Sequence, residues 1–135
     1  MDTVVLENID ELWNLDMGDS YFAGVIETGK SKPEKPYINA GVMMINLKKL
    51  REDKMDDALV KALNTQKYKF ADQDCINSLC SDKFLLIPST YNLNDWTESC
   101  KNPKIRHFAN ESKWWENIFL FYYRNNSWNK MRDEE

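Results

Sequence analysis

The sequence predicts an α/β fold in which a mixed sheet is flanked by helices, and three observations predict it. Short β-branched or apolar runs recur at 3–6, 21–26, 38–45 and 84–87. Stretches with apolar residues at helical spacing separate them, above all at 55–63 and 72–80. The two kinds of segment mix without a regular βαβ repeat, an internal repeat, a low-complexity tract or a linker, so a single domain over residues 1–135 is expected.

Each element has its own local reason. Thr3-Val4-Val5-Leu6 reads as a buried strand. Asn8 to Trp13 reads as a short helix, with Asn8 able to cap it and acids in its first turn. Tyr21 to Ile26 is a second strand. Residues 27–36 hold Gly29, Pro33, Pro36 and several charges, the composition of a surface loop. Ile38 to Ile45 is a third strand broken by Gly41, and an interior glycine marks a place where another backbone or a ligand comes close. A helix follows from Asn46-Leu47 to Arg51. The next carries an apolar stripe at Met55, Ala58, Leu59, Ala62 and Leu63, and another, 72–80, turns Cys75, Ile76 and Leu79 inward. Phe84 to Ile87 is a strand stopped by Pro88, Ile105 to Phe108 is a short one, and Trp115 to Arg124 is expected to close the fold as a helix.

Composition excludes several classes. Apolar residues make up 42% and charged residues 30%, a globular balance rather than a disordered one. The net charge of −4 argues against nucleic-acid binding, and the cluster Lys48-Lys49 with Arg51 is diluted by Glu52 and Asp53 into a solvated helix end. The three cysteines lack metal-type spacing. Cys75 and Cys80 point about 140° apart on one helix, which fits reduced thiols rather than a disulfide framework. No apolar run approaches the ~18 residues of a membrane-spanning helix. Nothing forms a Cys/His zinc site, a Ser/His/Asp triad or a Gly-rich phosphate loop. Five Trp and six Tyr are abundant enough to supply both core and a sugar-stacking surface.

Four segments carry groups suited to chemistry. The chain opens Asp2-Thr3-Val4-Val5, followed by Ile9-Asp10-Glu11-Leu12-Trp13. Tyr37-Ile38-Asn39-Ala40-Gly41-Val42 sets an amide beside two small residues. Ala71-Asp72-Gln73-Asp74 opens a helix, where an acid is also good capping chemistry whatever the function. Ile105-Arg106-His107-Phe108 holds the only histidine and leads through Asn110 to Lys113-Trp114-Trp115. In this order, over residues 2–123, these segments resemble the C-terminal half of a family 8 glycosyltransferase. Pro88 followed by Tyr91-Asn92 is similar to that family as well.

The resemblance implies the C-terminal portion of a GT-A fold, that of nucleotide-diphospho-sugar transferases. It implies a retaining, metal-dependent transfer of a galactose or glucose from a UDP-hexose to a saccharide or glycolipid acceptor, in lipopolysaccharide or other surface polysaccharide synthesis. Asp2 matches the second carboxylate of the family's Asp-x-Asp pair. With His107 it would bind Mn2+ or Mg2+, a hard cation that offsets charge on a leaving diphosphate. Lys113 would contact that diphosphate. Asn39, Ala40, Gly41 and Asp72 would line the sugar, and Asp72 and Gln73 would be catalytic, Gln73 lying near the anomeric carbon. Asn110 and Trp114 stand where the family has Gly and Pro. Trp96 and Trp114 are candidates for sugar stacking, and residues 27–36 and 94–103 for acceptor choice.

The family's N-terminal, uridine-holding half has no counterpart here, so the chain is expected to be a truncated part with weak or no activity alone. A homodimer through the surface so exposed is a further expectation. The expected location is cytoplasmic, with peripheral attachment at the inner membrane face as a variant. The alternative from another class is a non-catalytic carbohydrate-binding or dimerising module derived from the same fold.

Overall fold

The computed structural model describes residues 2–32 and 34–109. The closing helix expected at 115–124, together with Lys113 and Trp114, lies outside the described residues.

The chain runs β1 (Thr3–Val5), α1 (Asp10–Trp13), β2 (Phe22–Ile26), β3 (Ile38–Ile45), α2 (Leu47–Glu52), α3 (Met55–Thr65), α4 (Ala71–Cys80), β4 (Phe84–Leu86) and β5 (Ile105–His107). Short 3₁₀ turns at Ser81–Lys83 and Ser89–Tyr91 flank β4. β2 lies at the centre of a mixed three-stranded sheet, antiparallel to β3 and parallel to β4. β1 and β5 form a separate antiparallel pair, with Thr3 opposite His107.

Alternation along β2 explains its central place. Ala23 and Val25 face one apolar cluster with Leu12, Ile87, Tyr91 and Ile105. Phe22 and its neighbour Tyr21 face the other, with Ile38, Leu50, Ile76 and Cys80. A strand buried on both faces reads as a continuous apolar run, as this one does. Full burial of a side chain such as Phe22 or Ile38 stabilises by roughly 1.5–3 kcal/mol. Gly24 belongs to the same packing, because a Cβ there would meet Ile38 Cδ1 at 2.8 Å.

The β2–β3 ladder breaks in a way that shapes everything beside it. Gly24 pairs with Met43, yet Ile26 pairs with Ile38. Residues 39–42 therefore stand opposite Val25 alone, and the Asn39-Ala40-Gly41 segment bulges off β2. Its backbone groups must find partners elsewhere.

Several local expectations shift. β1 is not a buried strand: Val5 is 58% exposed, since β5 is the sole partner of β1 among the described residues. Asn8 does hold the start of α1, its Oδ1 accepting from Asp10 N–H at 2.6 Å, although the helix begins two residues later. On α3 the buried stripe narrows to Met55, Leu59 and Ala62, because that helix packs against its neighbours along one seam and leaves Leu63 44% exposed. On α4, Leu79 points outward while Cys75, Ile76, Asn77 and Cys80 are buried. Cys75 and Cys80 are free thiols on different sides of α4, and burial pushes the Cys80 thiol up to about 11. The basic cluster is the solvated helix end expected, with Lys48 and Lys49 paired to Glu52 and Asp53.

Candidate active site

The bulge of β3, the start of α4 and the end of β5 converge on a cleft of about 620 Å³. Asn39, Ala40 and Gly41 line it from β3, Asp72 and Gln73 from α4, and His107 and Asp2 from the β5–β1 pair. Of the candidate residues singled out by sequence, Lys113 and Trp114 are not placed, since they lie outside the described residues. Glu27, Lys30, Phe70 and Trp96 complete much of the wall, with Phe70 45% and Trp96 40% exposed.

Helix α4 is held against β3 by its own side-chain amides. Asn77 accepts from Ile38 N–H at 2.7 Å and donates to Ile38 C=O at 2.8 Å. Gln73, one turn earlier, accepts from Ala40 N–H at 2.9 Å. Residues four apart on a helix are spaced about 6 Å, and residues two apart on a strand about 6.6 Å. The two amides thus act as a substitute strand for the border of β3 that faces away from β2. Because Gln73 Oε1 is committed to Ala40, its Nε2 turns to Glu27 Oε2 at 2.9 Å and Tyr37 Oη at 3.3 Å.

Asp72 differs from its neighbours. Asp74 accepts from Phe70 N–H and from the Tyr37 hydroxyl, so it is Asp74 that ties down the helix start. Asp72 is exposed on the cleft and makes no hydrogen bond or ion pair among the described residues. A carboxylate left over in this way is free to accept from hydroxyl groups. Ala71, immediately before it, opens α4 at φ 30°, a left-handed conformation that a residue bearing Cβ adopts only under strain.

Glu27 departs from the surface loop expected at 27–36. It is only 5% exposed, and its carboxylate accepts from Asn39 Nδ2 at 3.1 Å and Gln73 Nε2, while pairing with Lys30 at 3.1 Å. Lys30 in turn lies 3.6 Å from the centroid of the Phe70 ring and 4.7 Å from that of Tyr37. A glutamate after five apolar strand residues is the signal that could have marked it, since its first carbon positions continue a buried strand.

His107 ends β5 with its ring against the backbone of Gly41, so close that a Cβ at Gly41 would overlap the imidazole. The ring is 6% exposed, its Nδ1 lies 3.0 Å from Asn92 Oδ1, and its Nε2 lies 3.6 Å from Asp2 Oδ2. Burial holds the imidazole below its ordinary pKa, against the opposing pull of the Asp2 carboxylate. The Asp2 backbone is pinned by Phe108 N–H at 2.7 Å. Among the described residues no group of three or more His, Cys, Asp and Glu forms a complete metal cage. His107 and Asp2 do fit part of one, because a neutral imidazole and a carboxylate converge there at more than the usual length of a charge-assisted hydrogen bond.

The fold is that of GT-A glycosyltransferases. The galactosyltransferase LgtC, solved with donor and acceptor sugar analogues, is similar over 84% of this chain and 52% of its own, with a TM-score of 0.64 and 24% identity. The glycosyltransferase GlyE of Streptococcus pneumoniae is similar over 98% of this chain and 40% of its own, with a TM-score of 0.72 and 19% identity. The chain belongs to glycosyl transferase family 8, whose model matches residues 1–119. Relatives include General stress protein A of Bacillus subtilis, 25% identical over 96% of this chain, and glycosyltransferase GlyA of Streptococcus pneumoniae, 28% identical over 94%. The chain spans 56% of the first and 20% of the second. No helix among the described residues is long and apolar enough to cross a membrane.

Proposed function

We propose that this chain forms the sugar-side half of a hexosyltransferase active site that takes a galactose or glucose from a UDP-sugar donor, with retention, to a saccharide or glycolipid acceptor. The observation that carries the reading is convergence. Segments far apart in sequence bring an unpaired carboxylate, an oriented amide, a bulged strand with small residues and a neutral histidine facing a carboxylate to one cleft.

The sugar lies between the β3 bulge and the start of α4. Asp72 accepts from its hydroxyls, and the small side chain of Ala40 leaves room beside it, while Gly41 lets the His107 ring pack against the strand. Gln73 is oriented by Ala40 N–H and Glu27, so it presents a fixed dipole to the reacting carbon without reorganising during transfer. His107 and Asp2 would hold a divalent cation, Mn2+ or Mg2+. When bound, that ion offsets the charge gathering on the departing diphosphate. Lys113 is assigned to the same diphosphate. Phe70 and Trp96 offer apolar faces at the rim to the acceptor, and surface polysaccharide or lipopolysaccharide synthesis is the setting this chemistry suits.

Calorimetric titration of UDP with and without Mn2+ tests the reading. Binding that needs Mn2+ and is lost in His107→Ala is the expected result. Binding of UDP that is indifferent to both Mn2+ and His107 would remove the donor role from this cleft.

A further inference from the structure

We propose that Asn92 is a positioning residue that fixes His107 as the tautomer protonated on Nδ1, and so keeps the Nε2 lone pair turned toward Asp2. Two backbone amides, which can only donate, set the direction. Gly41 N–H donates to Asn39 Oδ1 at 3.0 Å, and Trp96 N–H donates to Asn94 Oδ1 at 2.8 Å. Each fixes which end of its asparagine is the oxygen. Asn39 is fixed a second time, because its other end faces the Glu27 carboxylate and must be the NH2.

Asn92 lies between these two and is fully buried. Toward Asn39 it meets an oxygen, so it presents Nδ2 there, at 2.9 Å. Toward Asn94 it meets an NH2, so it presents Oδ1, at 3.2 Å. The two constraints agree. Reversing Asn92 would set oxygen against oxygen at one end and NH2 against NH2 at the other, at a fully buried position. The same Oδ1 lies 3.0 Å from His107 Nδ1, which therefore carries the hydrogen.

The consequence opposes what His107 would do alone beside Asp2. A free neutral imidazole next to a carboxylate would place its hydrogen on the facing nitrogen and draw the pair to charge-assisted length. Here the separation is 3.6 Å, as expected when neither atom has a hydrogen to share. The relay runs from Glu27 through Asn39 and Asn92 to His107, and joins the sugar side of the cleft to the cation side. Its importance for the cation rests on the function proposed above; the tautomer itself does not.

Because His107 is the only histidine, the chain labelled with 15N-histidine reports a single imidazole. Long-range 1H–15N correlation spectra, recorded without metal and above the ordinary imidazole pKa, distinguish the two tautomers directly. The unsubstituted chain is expected to show a protonated Nδ1 and a bare Nε2, and to keep that pattern in Asp2→Ala. Asn92→Ala is expected to move the hydrogen to Nε2 and to lower Mn2+ affinity by about 10–100-fold. A protonated Nε2 in the unsubstituted chain, or an unchanged pattern in folded Asn92→Ala, would overturn the proposal. The measurement on the unsubstituted chain decides even where Asn92→Ala does not fold. A bare Nε2 in a chain that binds no Mn2+ would support the tautomer assignment while counting against the donor reading.

Discussion

Gly41 and His107 are one structural unit, and a single added methyl tests it. Gly41→Ala drives a Cβ into the imidazole, with backbone on one side and a buried ring on the other. Overpacking of this kind costs about 1–3 kcal/mol. Chemical denaturation of Gly41→Ala, His107→Ala and the double variant should show strong coupling, with the glycine substitution close to neutral once the ring is gone. Equal losses in both backgrounds would mean that the strand, not the ring, requires glycine. At this scale the sequence was readable where chemistry is carried by short motifs. Asn39, Gly41, Asp72, Gln73 and His107 all reach the cleft. Glu27 and Asn92 acquire their places from partners distant in the chain, Asn39 and Gln73 for the first, Asn39 and His107 for the second. No local pattern records such pairings.

Between elements, the seam of α4 against β3 stands out because it is made of amides rather than apolar contact alone. Asn77→Ala would leave both Ile38 N–H and Ile38 C=O without a partner in a buried position. Each such group costs about 1–3 kcal/mol, so a clear drop in unfolding free energy and faster exchange of the Ile38 amide are expected. A loss below about 1 kcal/mol would mean that water replaces the side chain. The order of strands and helices was legible from periodicity, and most boundaries moved by only a residue or two. The register shift was not. Nothing in Ile38 to Ile45 announces that residues 39–42 will stand opposite Val25, because the bulge is stabilised by α4 and by Asn39 bonding back to Gly41.

Across the whole molecule, Tyr21 ties the central strand to the end of α2 through a 2.7 Å hydrogen bond to Asp53. That bond, helped by burial, raises the phenol from 10.0 to about 12. The sign follows from proton counting. Between pH 10 and about 12 the unfolded chain gives up the proton while the folded chain retains it, so stability falls as pH rises through that window. Below pH 10 the contribution is fully present. Tyr21→Phe should flatten this alkaline limb in denaturant titrations at graded pH, and an unaltered slope would assign the loss to another group.

The amide seam on β3 also gives the sheet a direction of growth. With Gln73 and Asn77 occupying one border, a newcomer strand finds no vacant ladder there at Ile38 and Ala40. The opposite border, at β4, is three residues long, carries Leu86 at 47% exposure and has no further strand beside it among the described residues. Recruitment of additional β-structure, whether from elsewhere in a longer polypeptide or from a neighbouring molecule, is thereby steered to the β4 side and away from the cleft.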